Sequence, residues 1–184
     1  MTHEALCELS ILLPCLNEAE TIAQCVQAAW AGLAGLGVPG EVVVADNGSL
    51  DGSAELARAC GARLVGVPQR GYGSALQAGI RAAHGRFVII ADADGSYNLR
   101  CLQPFWARLQ AGDELVIGTR LKGNILPHAM PALHRYLGNP LLTALANRLF
   151  GTQLSDYHSG MRASDAPRCY VCRCRLKAWS SPQR

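Results

Sequence analysis

Between Leu9 and Asp94 short continuous apolar runs alternate with stretches of helical periodicity, and few architectures satisfy that alternation. Leu9 to Leu13 is apolar throughout and is stopped by Pro14. Asn17 with Glu20 has the spacing of a capping box, and Ile22, Cys25, Val26, Ala29 and Leu33 recur at helical intervals until Gly35 and Gly37. Glu41 to Asp46 is a Val-rich second strand, and Asp51 is placed to cap a short helix carrying Leu56 and Cys60. Arg63 to Val67 reads as a third strand, Gly73 to His84 as a third helix, and Arg86 to Ala91 as a fourth strand. Strands buried on both faces read as unbroken apolar runs, so the expected fold class is α/β, a mostly parallel sheet with helices on both faces.

Further on, Asn98 to Gln110 reads as a helix with Pro104 awkwardly inside it, and Glu114 to Gly118 as a fifth strand. Thr119 to Pro131 reads as a loop. Leu133, Tyr136, Leu137, Leu141, Leu142, Leu145 and Leu149 form a helical pattern interrupted at Gly138 and Pro140. No internal repeat is present.

The 184 residues allow one domain, on a prior of about 150 residues each. Hydrophobic residues are 49% and charged residues 17% against an average of about 25%, which counts against a disordered chain, a coiled coil or a nucleic-acid tail. The formal charge of +3 is uneven: residues 164 to 184 hold Arg168, Arg173, Arg175, Lys177 and Arg184 against Asp165, leaving the first 163 residues at −1. A neutral body lacks the basic face of a nucleic-acid binder. Ala28 to Ala45 is broken by glycines, Pro39 and Glu41, so it cannot supply the ~20 apolar residues of a spanning helix. With Glu4 and Glu8 near the start there is no secretory signal pattern, and a cytoplasmic location is expected. Cys7, Cys15, Cys25, Cys60 and Cys101 stand singly among apolar neighbours and read as core, whereas Cys169, Cys172 and Cys174 make a zinc pattern without a partner pair.

In a parallel sheet ligands bind beyond the carboxyl ends of the strands. Here those ends carry Pro14 to Glu18, Asp46 to Ser49 and Asp92 to Ser96, so acidic chemistry converges on one edge. Asp92 and Asp94 are two apart, and side chains at that interval along an extended segment point the same way. Two such carboxylates suit a hard divalent ion, Mg²⁺ or Mn²⁺, with open positions for phosphates. One Asp-x-Asp is expected by chance in a chain this long; its place at a strand end is what distinguishes it. No Gly-x-Gly-x-x-Gly follows the first strand and no P-loop exists, which counts against dinucleotide oxidoreductases and P-loop NTPases.

Leu13-Pro14-x-x-Asn17-Glu18, Val44 to Ser53, Arg70-Gly71-x-Gly73-x-Ala75 and Asp92-Ala93-Asp94, in this order, resemble the family 2 glycosyltransferases of GT-A fold. Gly118-Thr119-Arg120, Arg135 to Asn139 and Asp156 to Arg162 resemble their dolichyl-phosphate mannosyltransferase and polyprenyl-phosphate glycosyltransferase branch. The resemblance covers about residues 9 to 163. It implies a hexosyltransferase that moves a sugar, with inversion, from a UDP- or GDP-sugar to a polyprenyl phosphate, in peripheral contact with the inner face of the membrane.

The resemblance also implies residue roles. Pro14, Leu16, Glu18, Asp46, Arg70, Asp92 and Ala93 would bind the nucleotide-sugar, and Asp92, Asp94 and Ser96 the metal. Arg120, Arg135 and Asn139 would grip the acceptor phosphate. Asp94 and Asp156 are the catalytic candidates; a phosphate acceptor is already anionic and needs no general base, so Asp156 reads as a positioning residue, with an ion pair to Arg162 as its alternative. The five histidines have no metal-ligand spacing and read as structural. The Gln-x-x-Arg-Trp signature of processive synthases is absent.

After Ala163 the family pattern breaks. The expected division is a GT-A-like domain over 1 to 163 and an atypical, poorly ordered basic tail over 164 to 184, which lacks the periodicity for a strand and helix and leaves the domain marginally stable. Two other functions compete. One is a catalytically incomplete nucleotide-sugar-binding module; the other is a metal-dependent nucleotidyltransferase, whose Gly-rich loop with Arg and Lys after the first strand is missing.

Overall fold

The computed structural model describes residues 7–119, 139–151, 159–165 and 180–182. In chain order these form β1 (Leu9–Cys15), α1 (Ile22–Leu36), β2 (Gly40–Asp46), α2 (Ser53–Ala59), β3 (Arg63–Gly66), α3 (Tyr72–Ala82) and β4 (Phe87–Ile90). Then follow α4 (Gln103–Gln110), β5 (Leu115–Thr119), α5 (Asn139–Phe150), β6 (Arg162–Asp165) and β7 (Ser180–Pro182). The strands make one sheet in the order β3-β2-β1-β4-β6-β5-β7. β1 to β4 are mutually parallel, as expected; β6 runs antiparallel to both β4 and β5, and β7 is parallel to β5.

Helices cover both faces. Leu9, Ile11, Leu13, Val42, Val44 and Ile89 pack with α1, α2 and α4 through Val26, Ala29, Leu33, Ala57, Phe105 and Leu109. The alternate residues Leu12, Val43, Ala45 and Val88 pack with Ala75 of α3 on the other side. The period-2 pleat divides each continuous apolar run between two cores.

Several local expectations are corrected. Pro14 does not stop β1, which continues to Cys15. Cys15 and Leu12 point their carbonyls to opposite neighbours, the first to Asn47 after β2 and the second to Ala91 after β4. The missing N–H of Pro14 therefore faces β4, whose pairing ends at Leu12, and no ladder bond is lost. Asn17 and Glu20 form no capping box: α1 begins after Thr21 without a side-chain cap, and Asn17 takes a left-handed φ of 57°. Asp51 stands one residue before the N-cap of α2, which is Gly52, yet its Oδ1 accepts the amide of Ser53, the first helical residue, at 3.1 Å and so serves the helix start as expected. Pro104 is not interior, because α4 starts at Gln103 and leaves it in the first turn, where an N–H has no helical partner. Pro140 sits likewise at the second residue of α5. Cys15 and Cys25 are buried, but Cys101 is exposed and is not core.

β6 lies between β4 and β5 and continues to Asp165, so Ser164 and Asp165 belong to the sheet. Ser180–Pro182 pairs with β5, a strand that the sequence pattern of the tail does not announce. Leu141, Leu142, Leu145 and Leu149 of α5 are exposed. Among the described residues no helix is long and apolar enough to cross a membrane.

Candidate functional site

Strand order reverses between β1 and β4: β2 and β3 lie to one side of β1, and β4 to the other. Loops that leave the carboxyl ends at such a switch point diverge and leave a crevice. A cavity of about 320 Å³ opens there, lined by Pro14 at the end of β1, Leu16 and Glu18 after it, Asn47 after β2, Arg70, Gly71 and Tyr72 at the start of α3, and Asp92, Ala93 and Asp94 after β4.

Its walls are held by hydrogen bonds between loops. Ser49 Oγ accepts the Asn17 amide at 2.9 Å, Ser53 Oγ the Glu18 amide at 2.8 Å, and Asp51 Oδ2 the Ala19 amide at 2.9 Å. In return the Leu50 amide donates to Asn17 Oδ1 at 2.9 Å. The hydroxyl of Ser53 also donates to Asp51, and these bonds hold the Asp51 carboxyl below the usual range. Thr21 Oγ1 ties α1 to the third loop by donating to the Ala93 carbonyl at 2.7 Å. Asn47 is buried and does most to shape the β3–α3 connection: its Nδ2 donates to the Val67 and Gln69 carbonyls at 3.2 and 2.8 Å, and its Oδ1 accepts the Gly71 amide at 2.7 Å.

The structure therefore brings Pro14, Leu16, Glu18, Arg70, Asp92, Ala93 and Asp94 to one cavity. It does not bring Asp46 or Ser96 to its wall. Asp46 accepts the Gly48 and Ser49 amides of its own turn at 3.3 Å, and the Ser96 amide donates to Asp94 Oδ1 at 2.9 Å. Asp92 and Asp94 flank the buried Ala93 as the two-residue interval requires, although β4 has ended and a turn, with Gly95 at φ +77°, carries them. Arg120, Arg135 and Asp156 lie outside the described residues, and of Asn139 only its place at the start of α5 is described.

Asp92 is the more enclosed carboxylate. Tyr72 donates its hydroxyl to Asp92 Oδ1 at 2.8 Å, and burial together with that bond raises the Tyr72 phenol well above its ordinary range. Gly160, before β6, donates its amide to Tyr97 Oη at 2.6 Å. Asp94 is exposed, and no group of three His, Cys, Asp or Glu side chains gathers among the described residues. Two carboxylates on an open cavity fit a hard cation whose remaining ligands come from a diphosphate.

Asn47, Tyr72, Tyr97 and Gly160 were not among the residues that the sequence singles out. Asn47, Tyr72 and Gly160 each lie within one of the sequence motifs, which is the available signal; Tyr97 lies outside them and meets Gly160 only through the fold.

The sequence pattern described as Glycosyl transferase family 2 matches residues 10–166. The chain is 41% identical over 155 residues to the low-salt glycan biosynthesis hexosyltransferase Agl6 of Haloferax volcanii, covering 84% of this chain and 37% of that protein. It is 37% identical over 124 residues to the dolichyl-phosphate hexose transferase of the same organism, covering 67% of this chain and 52% of the relative. It thus spans about half or less of the length of these relatives. Glucosyl-3-phosphoglycerate synthase from Mycobacterium tuberculosis, solved with Mn²⁺, uridine-diphosphate-glucose and phosphoglyceric acid, shares the fold. The TM-score is 0.65 at 27% identity, over 87% of this chain and 57% of that one.

Proposed function

The chain belongs to glycosyl transferase family 2, and from that premise we propose that it binds a UDP- or GDP-activated hexose in the cavity between β1 and β4. The sugar is then transferred, with inversion, to a polyprenyl phosphate at the cytoplasmic face of a membrane. The observation that carries this reading is the convergence of Pro14, Leu16 and Glu18 with Asp92 and Asp94 on one cavity at the switch point. Similarity to a dolichyl-phosphate hexose transferase supports the acceptor class.

Pro14 and the half-exposed Leu16 offer an apolar wall to the base, and Glu18 an acceptor for base or ribose donors. Asp92 and Asp94 are the residues that would hold Mg²⁺ or Mn²⁺. Bound there, the ion supplies Lewis-acid neutralisation of charge on the departing nucleoside diphosphate. Arg120 and Arg135, with Asn139, are assigned the acceptor phosphate, whose anionic oxygens match guanidinium donors in geometry and charge. One acceptor oxygen bonds the anomeric carbon from the face opposite the leaving group, and the diphosphate oxygen keeps the electron pair of the broken bond. No proton has to be removed, which leaves Asp156 a positioning task.

Calorimetric titration with a panel of UDP- and GDP-sugars, in Mn²⁺ and in EDTA, tests the reading. Metal-dependent binding of at least one donor is expected; binding of none overturns it. Arg120→Ala should then reduce transfer about ten- to a hundredfold while sparing donor affinity, since a charge-assisted contact contributes about 1.5–3 kcal/mol. Equal loss of donor binding would move Arg120 to the diphosphate.

A further inference from the structure

The residue between the glycines of Arg70-Gly71-Tyr72-Gly73 has no role in the reading above, and its position is unusual. Tyr72 is the first residue of α3 and is 54% exposed. Its hydroxyl nevertheless crosses to the β4 loop and donates to Asp92 Oδ1 at 2.8 Å. The approach is built from below. Asn47 clamps the backbone of Val67, Gln69 and Gly71, and Gly71 takes a φ of +127°, a backbone conformation that glycine adopts without steric cost. That turn sets where α3 begins and so where the Tyr72 ring enters.

Asp92 is confined on its other side as well. Gly160 stands so close that a Cβ there would come within 2.0 Å of Asp92 Oδ2 and 3.0 Å of Tyr97 Oη. Tyr97 Oη in turn accepts the Gly160 amide, which holds that backbone in place. One oxygen of Asp92 thus has a phenol donor and the other a glycine wall. A carboxylate offers about four acceptor positions, so the bond from Tyr72, the one described to Asp92 among the described residues, orients the group with positions to spare for a ligand. Among the described residues Asp94 has no comparable frame, and the bond to its carboxylate comes from its own turn.

We propose that Tyr72 is a positioning residue for Asp92: its hydroxyl fixes the carboxylate in the orientation that receives the cation-bound diphosphate end of the donor. This rests on the cavity being the donor site.

Titration of UDP and of GDP into the wild type and Tyr72→Phe, each in Mn²⁺ and in EDTA, tests the assignment by calorimetry. Phenylalanine keeps the ring and deletes the donor. The nucleotide that the wild type binds should bind Tyr72→Phe about three- to tenfold more weakly in Mn²⁺, with affinity in EDTA within about twofold and thermal unfolding unchanged. In an Asp92→Asn background, Tyr72→Phe should add less than about twofold, because its partner has already changed. Unchanged or tighter binding by Tyr72→Phe overturns the proposal, as does an equal loss with and without metal, which would mark a merely loosened pocket. If the wild type binds neither UDP nor GDP in Mn²⁺, the donor reading itself fails and takes the proposal with it. That outcome is distinct because it appears before the variant is compared.

Discussion

The two ends of the parallel sheet both carry buried or half-buried carboxylates, but they use them in opposite ways. At the amino-terminal edge Glu41 accepts the Ser10 hydroxyl at 2.7 Å, the His84 amide at 2.7 Å and Arg63 Nε at 2.9 Å. Arg63 also donates to the Ala82 carbonyl, and Ser10 Oγ accepts the Gly85 amide. Burial pushes the Glu41 carboxyl up, yet these donors outweigh it and the group ends below the usual range. At the carboxyl-terminal edge Asp92 receives the Tyr72 hydroxyl, Asp94 the amide of its own turn, and both face a cavity. A carboxylate that takes donors from three separate segments joins strands; one with a donor or two and open space beside it can receive a ligand.

Glycine substitutions at the two edges should separate these roles most sharply. A Cβ at Gly85 would lie 2.4 Å from the Ser10 amide nitrogen and 2.7 Å from the Leu9 carbonyl carbon, both backbone atoms that cannot yield. Gly85→Ala should cost about 3 kcal/mol of stability, read by urea unfolding, and leave the donor affinity of the folded fraction intact. An unfolding midpoint equal to that of the wild type would break the comparison.

Asp94→Asn is expected to do the reverse. It should lower donor affinity in Mn²⁺ about ten- to a hundredfold, the range for a lost charge-assisted contact, without moving the unfolding midpoint. Should both EDTA and this variant leave donor affinity unchanged, the carboxylate pair is no metal site.

Gly160→Ala should fall between. Its new methyl meets the Asp92 carboxylate rather than backbone, so the side chain can move aside. Metal-dependent affinity is expected to drop about tenfold, roughly 1.4 kcal/mol, with a stability change below about 1 kcal/mol. A large stability loss would place Asp92 with Glu41 among the structural carboxylates.

The smallest effect concerns acid. The folded state holds the Glu41 carboxyl below its unfolded value of about 4.3, so its stabilisation is fully present above that pH and is lost as pH falls through the folded value. Glu41→Gln should be about 1 kcal/mol less stable at pH 7, the ion pair with the partly exposed Arg63 being screened, and should lose less stability than the wild type between pH 5 and pH 3. Parallel pH profiles for the two proteins would show that Glu41 does not supply this part of the acid sensitivity.

The sheet was legible from the chain because unbroken apolar runs such as Ile11 to Leu13 and Val42 to Ala45 need both faces covered. The strand ends were legible for the same reason, and with them Asp92 and Asp94. Element boundaries were less so. Asn17 and Glu20 have the spacing of a capping box, but the Asn17 side chain is bonded to the Leu50 amide across 33 residues, and a long-range partner prevailed over the local one. β6 was missed because Arg162-Ala163-Ser164-Asp165 is polar at three of four positions; pairing on both sides with β4 and β5 holds it in the sheet.

What the sequence determined by itself is therefore what repeats along the chain: the alternation of strands and helices, the parallel half of the sheet, and the set of polar residues that must emerge at one edge of it. Tertiary structure alone decided which of those residues share a cavity. Asp46 and Asp92 both follow buried strands, yet Asp46 turns onto its own loop while Asp92 meets Tyr72 from 20 residues away and Gly160 from beyond β5. Backbone period and burial are local properties that a sequence displays directly. The side-chain partner of a loop carboxylate depends on strand order, and strand order is set by contacts between residues far apart in the chain.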